Sequence, residues 1–83
     1  MKKVFLYGIT KSDKTGAWGT AVTEDGEILA SIDGNSLEQV KTALKNNEYP
    51  DYEKEWVEEE DVIHSKHEGA RIAIRKSILK YRL

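Results

Sequence analysis

The chain has 83 residues, a formal net charge of −2, 34% charged side chains and 39% hydrophobic side chains. This length suits one domain, 1–83, which would bury only roughly 60–65% of its unfolded surface. It has no cysteine, which excludes disulfides and thiolate-bound metal sites and is typical of a cytoplasmic protein, and it has no apolar run of the roughly 18 residues that would cross a membrane.

Three strands are predicted in the first half of the chain. Residues 3–9 have apolar side chains at successive positions, the pattern of a central strand covered on both faces. Residues 17–24 and 27–32 also have apolar side chains on both faces and flank a tight turn. These strands therefore predict a sheet that has other elements packed on both of its faces.

The turn between the second and third strands predicts their register. Asp25-Gly26 is a favoured two-residue type I′ turn, which joins the strands as a β-hairpin. The pairs that follow are Thr23 with Ile28, Val22 with Leu29, Ala21 with Ala30 and Thr20 with Ser31.

The middle of the chain predicts a helix and a further strand. Ser36 precedes Gln39 by three residues, a capping-box spacing that opens a helix over 37–46. Its inner face would be formed by Leu37, Val40 and Leu44. A turn at Pro50 follows, and residues 55–63 are interpreted as a strand despite their run of glutamates.

A second capping box predicts the last helix. Ser65 precedes Glu68 by three residues, and the helix is expected to run to about Tyr81. The predicted order is thus β-β-β-α-β-α. We expect an α+β fold of two or three layers, with one mixed sheet, an N-terminal β-hairpin meander and two helices.

The last helix shows two apolar stripes. A broad face is expected to cover the sheet and comprises Ala70, Ala73, Ile74, Ser77, Ile78 and Tyr81. Ile72 and Leu79 lie nearly opposite this face, with Leu83 beside them. A surface helix normally has one apolar stripe, so the second predicts a homodimer or partner interface. The alternative is that isolated exposed aliphatic side chains need no partner.

Aromatic residues are further candidates for such an interface, because they are enriched at interface centres. The candidates are Trp18, Tyr49, Tyr52 and Trp56, and the alternative is that they fill the core.

Charge is divided unevenly along the second half of the chain. Residues 48–63 contain eight acidic side chains against Lys54 alone, whereas residues 64–83 contain six basic side chains against Glu68 alone. Candidate anion or nucleic-acid contacts are Arg71, Arg75 and Arg82 on one border of the last helix and Lys76 and Lys80 on the other. Conversely, the acidic segment is compatible with an inhibitor of a basic or nucleic-acid-binding protein.

No pattern assigns a catalytic residue, a metal site or a cofactor. His64, His67 and Glu68 lie close together in the chain but lack a third ligand at a recognised spacing. The carboxylates from Glu58 to Asp61 would alternate between the two faces of a strand, which separates neighbours. Catalysis therefore remains an open but less favoured expectation.

A strand, a hairpin and then a helix opening Asn35-Ser36-Leu37-Glu38 resemble the first half of the ribonuclease H-like fold. In that family an aspartate on the first strand and a glutamate early in the helix bind catalytic magnesium. Glu38 matches the glutamate, but the first strand, Phe5-Leu6-Tyr7-Gly8-Ile9, contains no aspartate. The resemblance covers about half of the chain and implies a catalytically inactive relative.

We therefore expect a small non-catalytic binding module that self-associates through its last helix and has a protein partner. The alternatives are a nucleic-acid-binding domain that uses the basic residues of the same helix, and an acidic inhibitor.

Overall fold

The computed structural model describes residues 2–11, 16–58, 60–61 and 66–82. The elements are β1 (Lys2–Thr10), β2 (Ala17–Thr23), β3 (Ile28–Gly34), α1 (Leu37–Asn46), β4 (Tyr52–Trp56) and α2 (Glu68–Arg82). The sheet order is β3-β2-β1-β4. β1 pairs with β2 and β2 with β3 in antiparallel fashion, whereas β4 is parallel to β1. The predicted α+β fold and its β-β-β-α-β-α order are confirmed.

The sheet is covered on both faces, because the central strands have apolar side chains on each side. On one face, a core cluster contains Ala70 and Ile74 of α2 together with Phe5, Tyr7, Ile9, Trp18 and Val22. On the other face, a second cluster contains Val40 and Leu44 of α1 together with Val4, Leu6, Ala17, Ala21 and Tyr49. The fold thus has three layers, with one helix on each side of the sheet.

Both helices approach the sheet closely at glycines. A Cβ atom at Gly19 of β2 would collide with the side chain of Val40, so this glycine allows α1 to lie directly on the strand. At Gly69, a Cβ atom would lie 2.5 Å from the backbone carbon and oxygen of Asp25. The first turn of α2 therefore packs backbone to backbone against the turn between β2 and β3.

That hairpin turn differs from the predicted one. The amide of Gly26 donates to the carbonyl of Thr23 (3.0 Å), and the amide of Thr23 donates to the carbonyl of Glu27 (2.9 Å). Gly26 has φ +93°, so the loop has three residues with glycine in the left-handed region. The predicted two-residue turn is wrong, because this three-residue loop sets the first pairs one position out of the expected register.

A bulge at Leu29 restores the register further along the hairpin. Val22 pairs with Ile28 instead of Leu29, and the register shifts between Ala21 and Val22. Beyond the bulge, the predicted pairs of Ala21 with Ala30 and Thr20 with Ser31 are confirmed. The loop and the bulge therefore compensate each other, and the deeper part of the hairpin is as predicted.

The predicted start of α1 is confirmed by its capping bonds. The Ser36 hydroxyl accepts a hydrogen bond from the Gln39 amide (3.1 Å), and the Gln39 side chain accepts one from the Asn35 amide (2.7 Å). At the other end, the Lys54 ammonium group donates to the carbonyls of Lys45 (2.6 Å) and Asn47 (3.1 Å). Both ends of α1 thus have side-chain partners for backbone groups that a helix leaves unpaired.

The predicted strand over 55–63 is wrong in its position. β4 begins at Tyr52 and ends at Trp56, and Glu60 and Asp61 have a helical backbone. The strand begins earlier because Asp51, with φ 72°, redirects the chain after Pro50 into pairing with β1. The predicted cap at Ser65 lies outside the described residues, and α2 begins at Glu68.

Candidate protein-binding surface

The outward side of α2 has exposed apolar side chains. Ala70 and Ile74 face the sheet and are buried, whereas 43% of Ile72 and 60% of Leu79 are exposed. Because helix positions seven apart lie on the same side, Ile72 and Leu79 form one apolar stripe. The predicted second stripe is therefore exposed in the isolated chain.

A groove of about 560 Å³ lies between α2 and strand β3. Ile72 forms part of one wall and Ile28, which is 51% exposed, forms part of the other. The floor includes Trp18, whose indole donates a hydrogen bond to the Ser31 hydroxyl (2.9 Å). The groove exists because α2 lies above β1 and β2 and leaves this face of β3 uncovered.

Basic side chains border α2 on both sides. Lys76 and Lys80 are exposed and line the groove towards β3. Arg71 is half-buried and lines a cavity of about 360 Å³ on the other side of α2, while Arg75 is exposed. The side chain of Arg82 and residue Leu83 lie outside what the structure describes. Four of the five basic residues predicted as contacts are thus placed, two on each border.

A second, shallower groove of about 440 Å³ flanks β3 on the opposite face of the sheet. Its lining combines Ala30 and Ile32 of β3 with residues near the end of α1, including Ala43, Leu44 and Tyr49. The remaining lining residues are Asn46 and Asn47, so no charged side chain among the described residues lines this groove. The edge strand β3 therefore lies between two grooves of different polarity.

The two edge strands of the sheet differ in charge. β4 has exposed Glu53, Lys54 and Glu55, and charged side chains of this kind protect an edge against pairing with another strand. Residues 28–32 of β3 are uncharged, and Asp33 forms an ion pair with Lys11 (2.7 Å). Of these two edges, β3 is the less protected by charge.

The predicted contact aromatics do not form one surface. Trp18 is 2% exposed and contributes only the floor of the groove. Trp56 is half-buried on the α1 side of the sheet, where the Lys41 ammonium group lies 4.8 Å from its ring and Glu58 accepts its indole hydrogen bond. Tyr49 and Tyr52 pack on that same side, so these three aromatic residues lie across the sheet from Ile72 and Leu79.

The residues considered for metal binding or catalysis have ordinary structural contacts. The His67 ring packs against Phe5 at 5.2 Å between centroids, and its Nδ1 lies 3.8 Å from Glu24. The Glu58 amide donates to the Asp61 carboxylate (3.3 Å). This is a local contact after the end of β4, where the sequence had predicted that the strand continues. His64 lies outside the described residues, and within the described part of the chain no three histidine or acidic side chains converge as metal ligands. Glu38 is exposed in the first turn of α1.

Comparison with known proteins gives no relative from which to infer a function. No protein-family model, curated protein or solved structure matches the chain. Among the residues that the structure describes, no helix has the length and apolar character needed to cross a membrane. The exposed surface of the molecule is therefore the basis for assigning a function.

Sequence reasoning identified the exposed stripe of α2 but missed Ile28 and the two grooves beside β3. The stripe follows from helical periodicity within one element. Ile28 faces the groove because the three-residue loop shifts its partner to Val22, and the type I′ prediction placed it on the other face. The signal that could have indicated the three-residue loop is a glycine at its third position, which a type I turn followed by a bulge favours.

Proposed function

We propose that this protein is a non-catalytic binding module that self-associates through α2. The observation that carries the proposal is the exposure of Ile72 and Leu79 on the side of α2 opposite its buried residues. A small domain with an unpaired apolar stripe gains stability by covering that stripe with a second copy.

The apolar surface available to a second copy extends beyond the two stripe residues. Ile28 is exposed on the wall of the adjoining groove that lies opposite Ile72. Burial of a leucine or isoleucine side chain contributes about 1.5–3 kcal/mol, so three such residues provide a substantial part of a dimer interface. Protein binding at this surface requires no catalytic residue.

Light scattering after size-exclusion chromatography tests the proposal. The wild-type chain is expected to approach twice the monomer mass as its concentration rises. Leu79→Glu should weaken association about tenfold or more, because it places a charge where the dimer would bury an apolar side chain. The control is Leu29→Glu, which changes a partly exposed leucine at the β3 bulge, outside α2, and should leave the mass unchanged.

Two results would refute self-association through α2. One is a wild-type chain that remains monomeric at millimolar concentration. The other is a dimer that Leu79→Glu leaves intact while Leu29→Glu dissociates it, which would assign the interface to the β3 edge.

A further inference from the structure

The edge strand β3 combines three features that a site for strand addition requires. Within the described part of the chain, its outer edge has no neighbouring strand, its residues 28–32 are uncharged, and a groove lies beside it on each face. Neither Leu79 nor the outward stripe of α2 is needed for pairing at this edge. The groove walls formed by Ile72 and Ile28 are shared with the proposed dimer, so the Leu79→Glu variant, which removes the α2 interface, is used to separate the two proposals.

The two grooves define which side chains an added strand would carry. A strand paired with β3 lies about 4.8 Å from it, and its successive side chains point to opposite faces of the sheet. Alternate side chains would therefore enter the groove beside α2 and the groove beside α1. This matches the recognition mode in which main-chain hydrogen bonds give affinity and alternate side-chain pockets give specificity.

The charges of the two grooves differ. Lys76 and Lys80 line the groove beside α2, and Asp25 lies at the end of that groove near the start of α2. Asp33 shares this face through its pairing with Trp18, but it is already bound to Lys11. The groove beside α1 is lined by uncharged residues. Complementary side chains are thus acidic on the α2 side and apolar on the α1 side.

We propose that the β3 edge binds an extended segment of a partner protein in which apolar and acidic residues alternate. A second copy of β3 fits this description less well. It has one acidic residue, Asp33, which its own Lys11 already neutralises. A segment with two or more acidic residues on one face complements both lysines of the groove.

A synthetic peptide tests the proposal directly. The probe is an alternating valine–glutamate peptide with blocked ends, as long as β3 (7 residues), titrated into the full ¹⁵N-labelled chain. The two tryptophans provide an internal comparison, because Trp18 lies beneath the groove and Trp56 lies on the opposite edge strand. The peptide should shift the resonances of the Trp18 indole and the β3 amides and leave the Trp56 indole unchanged.

Control peptides separate the two parts of the inference. A peptide of the same composition with its valines grouped should bind at least about tenfold more weakly, since it cannot fill both grooves in alternation. An alternating valine–lysine peptide should also bind more weakly, because it places cations against Lys76 and Lys80. Equal binding of all three peptides would overturn the proposal.

Matched variants locate the binding site on the protein. Reversing both lysines (Lys76→Glu with Lys80→Glu) should weaken binding of the valine–glutamate peptide about tenfold. Arg75→Glu reverses an exposed charge on the other border of α2 and should have little effect. These are surface changes, so the folded state is expected to persist, and its amide spectrum provides the check.

Three results would contradict the inference. The first is no shift at millimolar peptide. The second is an equal loss of binding in Arg75→Glu and in the lysine variant. The third is a Leu79→Glu chain that stays dimeric without peptide and becomes monomeric as peptide is added, since the β3 edge would then belong to a second copy.

Discussion

Gly69 occupies a position where helix propensity and tertiary packing have opposite effects. It is the second residue of α2, and a glycine within a helix normally lowers the free energy of unfolding by about 1 kcal/mol relative to alanine. Here the missing side chain leaves room for the backbone of Asp25. Gly26 contributes to the same contact, because a Cβ atom on it would lie 2.7 Å from the Gly69 carbonyl oxygen. Two glycines thus join the hairpin to the start of the helix.

Gly69→Ala should therefore destabilise the protein, although the same change stabilises most helices. We expect a loss of about 1–3 kcal/mol in the free energy of unfolding, because the added methyl group overpacks a backbone contact. Urea denaturation followed by circular dichroism measures this loss. Lys76→Ala, an exposed change in the same helix, should stay within about 0.5 kcal/mol of wild type. A Gly69→Ala variant as stable as wild type would show that the contact is not close in solution.

Predictability from sequence also differs between individual residues. Ile72 and Leu79 could be placed on the outside of α2, because helical periodicity relates residues of one element. The exposure of Ile28 could not be predicted in this way. Its orientation depends on the length of a turn, where one residue more or less exchanges the two faces of a strand.

At the scale of elements, α1 has the clearest local determinants. The Ser36 hydroxyl bonds to the Gln39 amide, and two residues buried one turn apart, Val40 and Leu44, hold the helix on the sheet. The same features were visible in the sequence, which is why its start at Leu37 was predicted correctly.

Ser36→Ala should lower the free energy of unfolding by about 1 kcal/mol, because the Gln39 amide loses its hydrogen-bond partner at the helix start. Thermal and urea unfolding measure the change. Thr42→Ala provides the control, since this exposed residue lies within α1 and alanine has the higher helix propensity. The control should be neutral or stabilising. If the two variants are equally stable, the capping bond contributes little.

β4 shows why some elements could not be placed from their residues. Glu53, Lys54 and Glu55 give β4 no apolar alternation. The strand was therefore predicted later, over 55–63, where apolar pairs at 56–57 and 62–63 flank the acidic run. Its pairing with β1 is parallel and spans residues far apart in the chain, which local patterns do not encode. The grooves beside β3 share this limit, because they depend on β4 lying next to β1 and leaving β3 at the edge.

At the scale of the whole molecule, the charges on α2 predict opposite effects of salt for the proposed dimer and for the alternative of nucleic-acid binding. If two copies of α2 pack antiparallel with Ile72 of each against Leu79 of the other, Arg75 and Lys76 of both copies meet near the centre. Within the described part of the chain, neither residue forms an ion pair with an acidic side chain. Association must then overcome repulsion between these cations.

The dimer should therefore become stronger as salt is added. Raising ionic strength from about 0.1 M to about 1 M shortens the screening length from about 10 Å to about 3 Å, which weakens the repulsion. Light scattering at fixed protein concentration measures the dimer fraction. Binding of a single-stranded oligonucleotide would weaken with salt and would be lost in Arg75→Glu. Salt-weakened oligonucleotide binding by a chain that stays monomeric would favour the nucleic-acid function over self-association.

The compensating loop and bulge of the β2–β3 hairpin have a further consequence. Between Ala21 and Ala30, the three-residue loop, the bulged residue and two residue pairs together use eight residues, as many as a two-residue loop with three pairs, so both arrangements keep Ala21 paired with Ala30. The tip could thus exchange the faces of Ile28 and Leu29 while the rest of the sheet stays in place. The contact between Gly26 and Gly69 favours the observed arrangement. We therefore expect the packing of the start of α2 against the turn to determine which aliphatic side chain faces the groove.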